Sequence, residues 1–401
     1  GRLRVARECG PPSRRIATAM TVAVRPPAAA QKVEVGEADL APESGADAGS
    51  AGSAVSVGST TSAGSTTQSL PGTQVSSGAA DAPAVGSAGR GLRNGFGEVP
   101  ELEAISCEEG SIAPFTLPAE ALTYEPAPGM AVTTFRNGDR ERKIHCNIEL
   151  EAHEQEQLSA LQREARQQGA RFFPSVSVMA TRFLSHARND RKKALRLMQA
   201  TQEWRQSYFK GGPIRDSDVA EDMAHGVVYF CGRDASLRPA LVIRGHRIPQ
   251  QWYKEKRVDK LIRLLVFCME YMLRYMLVPG RVENLSVIVD LKGLGLSQVP
   301  LGALSEVYKV MSHHYIGRVN KFYVCNVPYA LNMISGMAKA LLTDRQKQKL
   351  QMLGSADELL RDFAPSQLEA DLGGSRDVFA AFFPFNLSVG PFAAGEAGRP
   401  S

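Results

Sequence analysis

The chain of 401 residues has a formal net charge of +5, and 22% of its residues are charged. This modest charge, without a long run of Lys and Arg, argues against nucleic-acid binding. The six cysteines stand far apart in the sequence, with no Cys-x-x-Cys and no Cys/His cluster at metal-ligand spacing. We therefore expect no zinc site, no disulfide framework and no cofactor.

The first part of the chain differs in composition from the rest. Residues 1–94 contain no aromatic residue, and Ala, Gly, Ser, Thr and Pro dominate residues 26–91. A chain of this kind buries too little apolar surface to offset its conformational entropy. We therefore predict a long, largely disordered low-complexity region over residues 1–148, with the foldable part beginning between Phe96 and Asn147.

A small helical unit is predicted over residues 149–210. Its three helices are expected at 149–168, 175–186 and 190–208. In the third helix apolar residues recur at steps of three and four, and Asn189 or Asp190 can cap it. A Gly-Gly-Pro sequence at 211–213 ends this unit.

The hydrophobic period changes after residue 211. Strands are predicted at 226–231, 239–244, 285–291 and 321–327, and helices at 257–278, 300–314 and 330–342. The last two strands are short β-branched runs that each lead into a helix, which is typical of parallel strands in an α/β domain. We assign residues 211–376 to this domain and residues 377–401 to a C-terminal tail, whose four Phe between 379 and 385 can fold back on the domain.

The most apolar predicted helix spans residues 261–278. It contains Arg263, Glu270 and Arg274 on one face, and the last two can pair at i, i+4. These charges indicate an amphipathic helix that packs on the domain rather than a membrane span.

The predicted helix at 330–342 carries its apolar side chains along one stripe and has a single charge, Lys339. The stripe consists of Met333, Ile334, Met337, Leu341 and Leu342. A mobile, Met-bearing helix beside a sheet can either cap the core or cover an apolar cavity.

An enzymatic function finds little support in the glycines that follow the third strand. Gly293 and Gly295 are placed as in a dinucleotide-binding loop, but Gln298 replaces the third glycine. No acid appears about twenty residues further on, where such a site has one. We interpret these glycines as a sharp turn at the end of the strand.

Four other polar residues have catalytic or metal-binding chemistry. Asp290 and Lys292 could be acid/base groups, yet an Asp at a strand end usually anchors loop backbone. His313 and His314 end a helix without a neighbouring carboxylate or Cys, so capping or solvated side chains fit better than a metal site. We expect no catalytic residue and no metal, and we predict that the chain is not an enzyme.

Several short motifs nevertheless occur together in one order. They are Arg182-Phe183-Leu184, the 194–205 helix ending in Trp204-Arg205, Arg238-Pro239, Asp290-Leu291-Lys292-Gly293, Lys321-Phe322-Tyr323, Asn326-x-Pro328 and Leu353-Gly354. In this order and spacing the chain resembles the CRAL-TRIO lipid-binding proteins, in particular the yeast-type phosphatidylinositol/phosphatidylcholine transfer proteins. The resemblance covers about residues 149–376.

This resemblance implies an α/β fold in which an N-terminal helical lobe is followed by a lobe with a mixed or parallel sheet. A gate helix over an apolar cavity corresponds to residues 329–342. Its gate positions are Tyr329, Ile334, Leu341 and Leu342. The candidates for lining the cavity, which fit ordinary core equally well, are Leu285, Val287, Val289, Phe322, Val324, Met333 and Met337.

The headgroup residues of the family are only partly retained. Where phosphatidylinositol-binding members carry Glu-Arg before the Lys-Phe-Tyr strand, this chain has Gly317-Arg318. The Arg-Lys that follows Arg-Phe-Leu aligns with Ala187-Arg188, and the lysine of the short helix after the gate matches Lys349. Arg188, Arg318 and Lys349 are therefore the candidates for contacting a lipid phosphate, with ordinary surface cations as the alternative.

Two further details concern the same region. The Ser and Thr that serve a choline headgroup in the family correspond to Leu285 and Val287, so their hydroxyls are missing. Thr343 and Gln346 have the spacing of a capping box that would fix the short helix carrying Lys349.

Two functions follow from the resemblance and its departures. The first is binding of a phospholipid or similar hydrophobic ligand, exchanged with or presented at membranes by a cytoplasmic protein that contacts the membrane transiently. The second is a non-catalytic adaptor with a diverged pocket, which acts through protein contacts and for which the disordered N-terminus offers a partner-binding tail. A nicotinamide-dependent enzyme is kept as a third alternative.

Overall fold

A computed structural model describes residues 95–295, 301–329 and 342–393, with only the backbone described at 301–304. The predicted disorder of residues 1–94 and most of the predicted gate helix therefore lie outside the described residues. The helices are α1 (Ala119–Thr123), α2 (Pro128–Ala131), α3 (Ala152–Gln167), α4 (Pro174–Ser177), α5 (Ala180–His186), α6 (Arg191–Tyr208), α7 (Asp216–Ala224), α8 (Gln250–Lys254), α9 (Val258–Tyr275), α10 (Leu301–His314) and α11 (Asp344–Lys349). The strands are β1 (Gly97–Glu98), β2 (Ile105–Ser106), β3 (Val132–Thr134), β4 (Arg140–Arg142), β5 (Arg171–Phe172), β6 (Ile214–Arg215), β7 (Val228–Arg233), β8 (Pro239–Arg244), β9 (Leu285–Asp290), β10 (Val319–Cys325) and β11 (Leu350–Met352).

The largest sheet has the strand order β11-β10-β9-β8-β7. β8 to β11 run parallel to one another, and β7 is antiparallel to β8. The nearly continuous apolar sequence of β9 fits a strand that is covered on both faces. This mixed sheet, preceded by the helices α3 to α6, confirms the predicted α/β class.

The two faces of this sheet are covered by different elements, because successive side chains of a strand point to opposite sides. On one side Phe230 contacts Phe385, which in turn contacts Tyr271 of α9, with ring centroids 5.1 and 4.9 Å apart. On the other side Tyr229 contacts Phe382, with centroids 5.0 Å apart. The Phe-rich tail therefore folds back on the domain, as the sequence suggested.

The helical lobe follows its predicted outline, with one difference. The carboxylate of Asp190 accepts a hydrogen bond of 3.0 Å from the Lys193 amide and so caps α6. The single helix predicted at 175–186 is instead the two helices α4 and α5. The Ser177 hydroxyl donates to the Phe173 carbonyl at 3.0 Å, and this bond within the turn competes with a continuous helix.

The charged residues of α9 pair with other elements and not with each other. Glu270 accepts from Arg205 of α6 at 2.7 Å, whereas Arg274 donates to Glu103 at 3.1 Å. The predicted pair between Glu270 and Arg274 is therefore wrong, because the buried carboxylate of Glu270 takes a buried partner from the neighbouring helix. None of the described helices has the length and hydropathy that a membrane crossing requires.

Residues 95–148 are folded, which corrects the prediction that disorder extends to residue 148. β1 pairs in parallel with β5, and β2 pairs in parallel with β6. The side chains of Ile105 and Ala121 are buried. The Ala113 amide donates to the Tyr271 hydroxyl at 3.0 Å. Aromatic and aliphatic residues resume at Phe96, and their burial supplies the free energy that the preceding low-complexity sequence lacks.

Candidate functional site

A row of partly accessible apolar side chains crosses the sheet where its parallel strands end. Ile243, Val289, Val324 and Met352 are neighbours in register on β8, β9, β10 and β11. Each keeps part of its surface accessible, and Met352 is 40% exposed. We call these four residues the apolar row. The carboxyl ends of parallel strands are where ligands bind in many α/β folds, and an apolar surface there suits a hydrophobic ligand.

The predicted lining residues divide into two groups. Val289, Phe322 and Val324 are partly accessible on the face of the sheet that carries the apolar row. Leu285 and Val287 lie on the same face but are buried in the core, so in this conformation they border no open space. The remaining candidates, Met333 and Met337, lie outside the described residues.

Of the predicted gate positions, the structure describes only the two ends. Tyr329 is 92% exposed, and Leu342 is half-buried. Ile334 and Leu341 lie outside the described residues, so the gate helix stays a prediction.

Lys349 is buried and already paired. Thr343 and Gln346 form the predicted capping box at the start of α11, which fixes the helix that carries it. The Lys349 ammonium donates to the Glu141 carboxylate at 2.7 Å and to the Val319 carbonyl at 3.1 Å. This cation therefore sits beside the first residue of β10, with a carboxylate of the same chain as its partner.

Arg318 directly precedes that strand and lies near a second cation, Arg182. Its guanidinium donates to the Glu283 carbonyl at 3.2 Å, while its Nε is buried and has no hydrogen-bond partner among the described residues. Burial, together with the nearby Arg182 guanidinium, lowers the pKa of Arg318 to about 9. The Glu283 carboxylate bonds to Arg182 at 2.5 Å and to the Cys146 amide at 2.8 Å, and its charge also acts on the nearby Arg318 guanidinium.

Arg188 is the most accessible of the three candidate cations, with 65% of its side chain exposed. It lines a cleft of about 330 Å³ that also includes Arg140 and Arg345. Its guanidinium lies 3.8 Å from the Asp139 carboxylate, which is hydrogen-bonded to Arg345 as well. Arg188 is thus free to reorient toward an anion that enters the cleft.

Residues 139–143 connect these cations, and the sequence reasoning missed them. Asp139 lies beside Arg188, Glu141 binds Lys349, and the Lys143 carbonyl accepts from Arg182 at 3.4 Å. The five consecutive charged residues at 139–143, directly after Gly138, are the signal that could have drawn attention to this segment.

A second polar cluster lies at the carboxyl end of β8 and β9. Arg244 is fully buried and donates to Asp290 at 2.7 Å, to Asp371 at 2.8 Å and to Glu369 at 2.9 Å. Its Nε donates to the Tyr229 hydroxyl at 3.0 Å. We call these five residues the Arg244 network.

The network bears on Asp290 and Lys292, which were weighed as acid/base groups. Burial opposes ionisation of Asp290, but hydrogen bonds from Asn326 and Arg244 outweigh it and hold the pKa of its carboxyl below the usual value. Its Oδ1 also accepts from the Lys292 amide at 3.0 Å, so the carboxylate anchors the loop backbone. Gly293 has φ of 70°, in agreement with a sharp turn.

The two adjacent histidines at the end of α10 have packing partners. His314 stacks on Trp204, with ring centroids 4.3 Å apart, and burial lowers its pKa to about 4. The His313 Nδ1 lies 2.7 Å from the Lys309 carbonyl. Within the described ranges, no group of three or more His, Cys, Asp or Glu side chains is arranged to hold a metal ion.

The family model of the CRAL/TRIO domain matches residues 223–374, which include the apolar row, Arg318 and Lys349. The chain contains a domain of the CRAL/TRIO family. This confirms the family that the motifs indicated. It also leaves residues 95–222, including Asp139 and Glu141, outside the matched CRAL/TRIO region.

Two curated relatives match a longer part of the chain. The Sec14 cytosolic factor of Schizosaccharomyces pombe is 24% identical in an alignment of 209 residues, which covers 48% of this chain and 73% of that protein. The SEC14 cytosolic factor of Kluyveromyces lactis is 25% identical in an alignment of 230 residues, which covers 54% of this chain and 76% of that protein. The crystal structure of Sfh5 is similar with a TM-score of 0.43 at 13% identity, covering 53% of this chain and 78% of that one. The domain match and the two curated relatives support a family role in lipid binding and transfer.

Proposed function

We propose that this CRAL/TRIO protein binds one phospholipid, or a similar hydrophobic ligand with a polar head, and exchanges it with membranes. The ligand's tails would lie against the apolar row, and its phosphate would lie near Lys349 and Arg318. The observation that carries the proposal is the apolar row, because partly accessible apolar side chains in register across four strands form a surface for aliphatic chains.

The dimensions of β10 fit such a ligand. The Val319 carbonyl, which Lys349 contacts, precedes Val324 by five residues on this strand. At ~3.3 Å per residue this separation is about 16 Å. Half of a bilayer's ~30 Å hydrocarbon core is about the same length. A lipid with its phosphate near Lys349 could therefore extend its tails to the apolar row.

The energetics of this arrangement favour exchange and involve no reaction. Each methylene that leaves water contributes about 0.8 kcal/mol, whether it enters a protein cavity or a bilayer. Moving a lipid between the two therefore changes the free energy little, and no covalent bond is made or broken. The proposal includes no catalytic step.

A substitution in the apolar row tests this function. Val324→Trp fills space that the tails would occupy, and overpacking of this kind costs ~1–3 kcal/mol. We expect transfer of fluorescent phosphatidylcholine or phosphatidylinositol between vesicles to fall about tenfold or more. Val178→Trp is the matched control, since Val178 is 53% exposed on the helical lobe, and it should transfer lipid as the wild type does. Undiminished transfer by a folded Val324→Trp variant would contradict the proposal.

The cellular setting is part of the same proposal. The names of the relatives, cytosolic factors, support a cytoplasmic location with transient contact to membranes. Residues 1–94 are proposed as a tail for protein partners, on the basis of their composition. Location by microscopy of the tagged protein tests the first point, and partner capture with and without these residues tests the second.

One observation favours a second function, that of a lipid-free adaptor. Lys349 already has a carboxylate partner in Glu141, so the polar end of the site is occupied by the chain itself. An adaptor would bind its partners equally well as the wild type and as the Val324→Trp variant, and neither would yield lipid on extraction. Recovery of bound lipid from the wild-type protein excludes this alternative.

A further inference from the structure

The strands β3 and β4 form a hairpin that lies along α11. The two strands pair antiparallel, and we call residues 132–142 the strap. The Arg136 amide donates to the Gln348 Oε1 at 3.0 Å. Asp139 accepts from the Arg345 Nη2 at 2.7 Å, and the same Nη2 donates to the Arg140 carbonyl at 2.9 Å. The strap is therefore attached to α11 at both ends of that short helix.

Glu141 is a buried acidic residue of the strap. Its carboxylate lies between two ammonium groups, 2.7 Å from Lys349 and 2.5 Å from Lys143, and all three side chains are buried. Burial works against the ionised Glu141, but the two lysines outweigh it and keep the pKa of its carboxyl below the usual value. A carboxylate held in this way by two ammonium groups occupies the position that a phosphate oxygen would take.

The charges of this cluster do not balance. Two lysines share one carboxylate, and a buried cation without a full partner is costly. Burial, with the nearby charge of Lys349, lowers the pKa of Lys143 to about 7. A phosphate in place of Glu141 brings at least as much negative charge and more acceptor oxygens, so it would satisfy both lysines better.

The position of the strap in the chain adds a connection to the gate segment. The strap lies outside residues 223–374, so Glu141 is supplied to the CRAL/TRIO domain by a separate part of the chain. α11, which the strap contacts, follows the gate segment 329–342 directly in the sequence. A ligand that displaces Glu141 therefore changes the contacts of α11, the helix that follows the gate segment in the chain.

We propose that the strap is an autoinhibitory element, in which Glu141 occupies the phosphate position at Lys349 until a phosphate-bearing ligand displaces it. This inference rests on the proposed lipid-binding function. Removing the Glu141 charge should leave Lys143 and Lys349 available to the ligand and detach the middle of the strap from α11. Lipid uptake should then become easier.

The test uses Glu141→Gln in the full chain, because glutamine keeps the shape of the side chain and removes its charge. We expect this variant to bind vesicles of phosphatidylcholine and phosphatidylinositol on the order of tenfold more tightly than the wild type. Glu103→Gln is the matched control, since it removes one carboxylate from an exposed pair with Arg274, and it should leave binding unchanged. Equal binding by Glu141→Gln and wild type would overturn the proposal.

A second variant keeps the test valid if Glu141→Gln alone does not fold. Glu141→Gln leaves two buried lysines without a carboxylate, so we combine it with Lys143→Met, which keeps only the charge of Lys349. The double variant should melt close to the wild type and still bind the vesicles more tightly. If it folds and binds no better than Lys143→Met alone, the strap does not compete with the ligand.

Inorganic phosphate separates the two sources of the anion. For a lipid headgroup, phosphatidylinositol vesicles bind Glu141→Gln better than pure phosphatidylcholine vesicles, and millimolar-range phosphate competes only weakly. Strong competition by phosphate, with no preference between vesicles, would keep the strap as an inhibitor but overturn the lipid as its ligand. If neither wild type nor variant transfers lipid at all, the proposed function fails, and this result differs from equal transfer by both.

Discussion

Two buried ionic clusters of this protein have opposite charge balance. In the Arg244 network one guanidinium meets three carboxylates, and further hydrogen bonds from Asn326 and Phe379 satisfy those carboxylates. In the strap cluster two lysines share the single carboxylate of Glu141. The first cluster has an excess of negative charge, and its Asp371 carboxylate is partly accessible to water. The second has an excess of positive charge that a further anion could balance.

The difference separates a structural cluster from a candidate binding site. Buried polar groups that are fully satisfied hold elements in place, and here Arg244 ties β8 and β9 to the segment with Glu369 and Asp371. Buried cations that outnumber their carboxylate partners can instead hold an anionic ligand. We therefore expect substitutions in the two clusters to have different consequences, the first for stability and the second mainly for ligand binding.

The largest effect is expected for Arg244→Met. This substitution leaves three carboxylates without their cation, and breaking a buried pair in this way costs about 3–5 kcal/mol of the free energy of unfolding. Urea denaturation measures the change. Arg257→Met removes the same charge from an exposed pair with Asp259 and should leave the free energy of unfolding nearly unchanged. A similarly small loss for Arg244→Met would show that the network is dispensable.

The next prediction concerns the pH dependence of stability. Lys143 has a pKa of about 7 in the folded chain, against an ordinary value of 10.5 for the unfolded chain. Between these two values the unfolded state binds more protons, so Lys143 makes stability rise as the pH rises. Lys143→Met should lower the slope of stability against pH by up to ~1 kcal/mol per pH unit in this range.

The matched control for the pH measurement is Lys347→Met, at an exposed position of α11. Its slope should equal that of the wild type. Thermal or urea unfolding at several pH values from neutral to alkaline gives all three slopes. Identical slopes for Lys143→Met and the wild type would mean that Lys143 is solvated rather than held in the strap cluster.

A smaller effect is expected for Asp139→Asn at the outer part of the strap. The hydrogen bond from Arg345 is the main cause that lowers the pKa of the Asp139 carboxyl, so loss of its charge should weaken this contact. Because both side chains are partly exposed, we expect a loss of about 1 kcal/mol. Hydrogen exchange should be faster at strap amides such as that of Phe135, which donates to the Asp139 carbonyl at 2.7 Å. Unchanged exchange would show that Glu141 alone holds the strap.

The smallest effect on the strap is expected for Asp344→Asn at the first residue of α11. The Lys347 ammonium lies 3.5 Å from Asp344, and both side chains are largely exposed. Exposed pairs and charges at helix ends contribute less than ~1 kcal/mol. Hydrogen exchange at the strap amides should be as slow as in the wild type. Faster exchange would mean that the N-terminal end of α11, and not the contacts of the strap, controls the mobility of the strap.

Local patterns were enough to predict much of the fold. The β-branched runs around Val287 and Val324 indicated parallel strands, because only strands covered on both faces are continuously apolar. The capping box of Thr343 and Gln346 was readable from spacing alone. Such features depend only on residues that are close in the sequence, so they can be predicted without knowledge of the tertiary fold.

The charge partners of the site were not predictable in this way. Lys349 and Glu141 are 208 residues apart, and Arg182 and Gly317 are 135 apart, so no local pattern joins them. The motifs identified Arg188, Arg318 and Lys349 as cations of interest, but burial and pairing depend on the tertiary fold. Because residues 95–148 were assigned to the low-complexity region, the strap was not predicted from the sequence.

Native mass spectrometry of the purified protein shows directly whether the chain holds a lipid. We predict that the wild type and Val178→Trp carry one phospholipid or similar amphiphile per chain, and that folded Val324→Trp carries none. A wild-type protein that is free of lipid after gentle purification, and that acquires none from vesicles, would contradict this prediction.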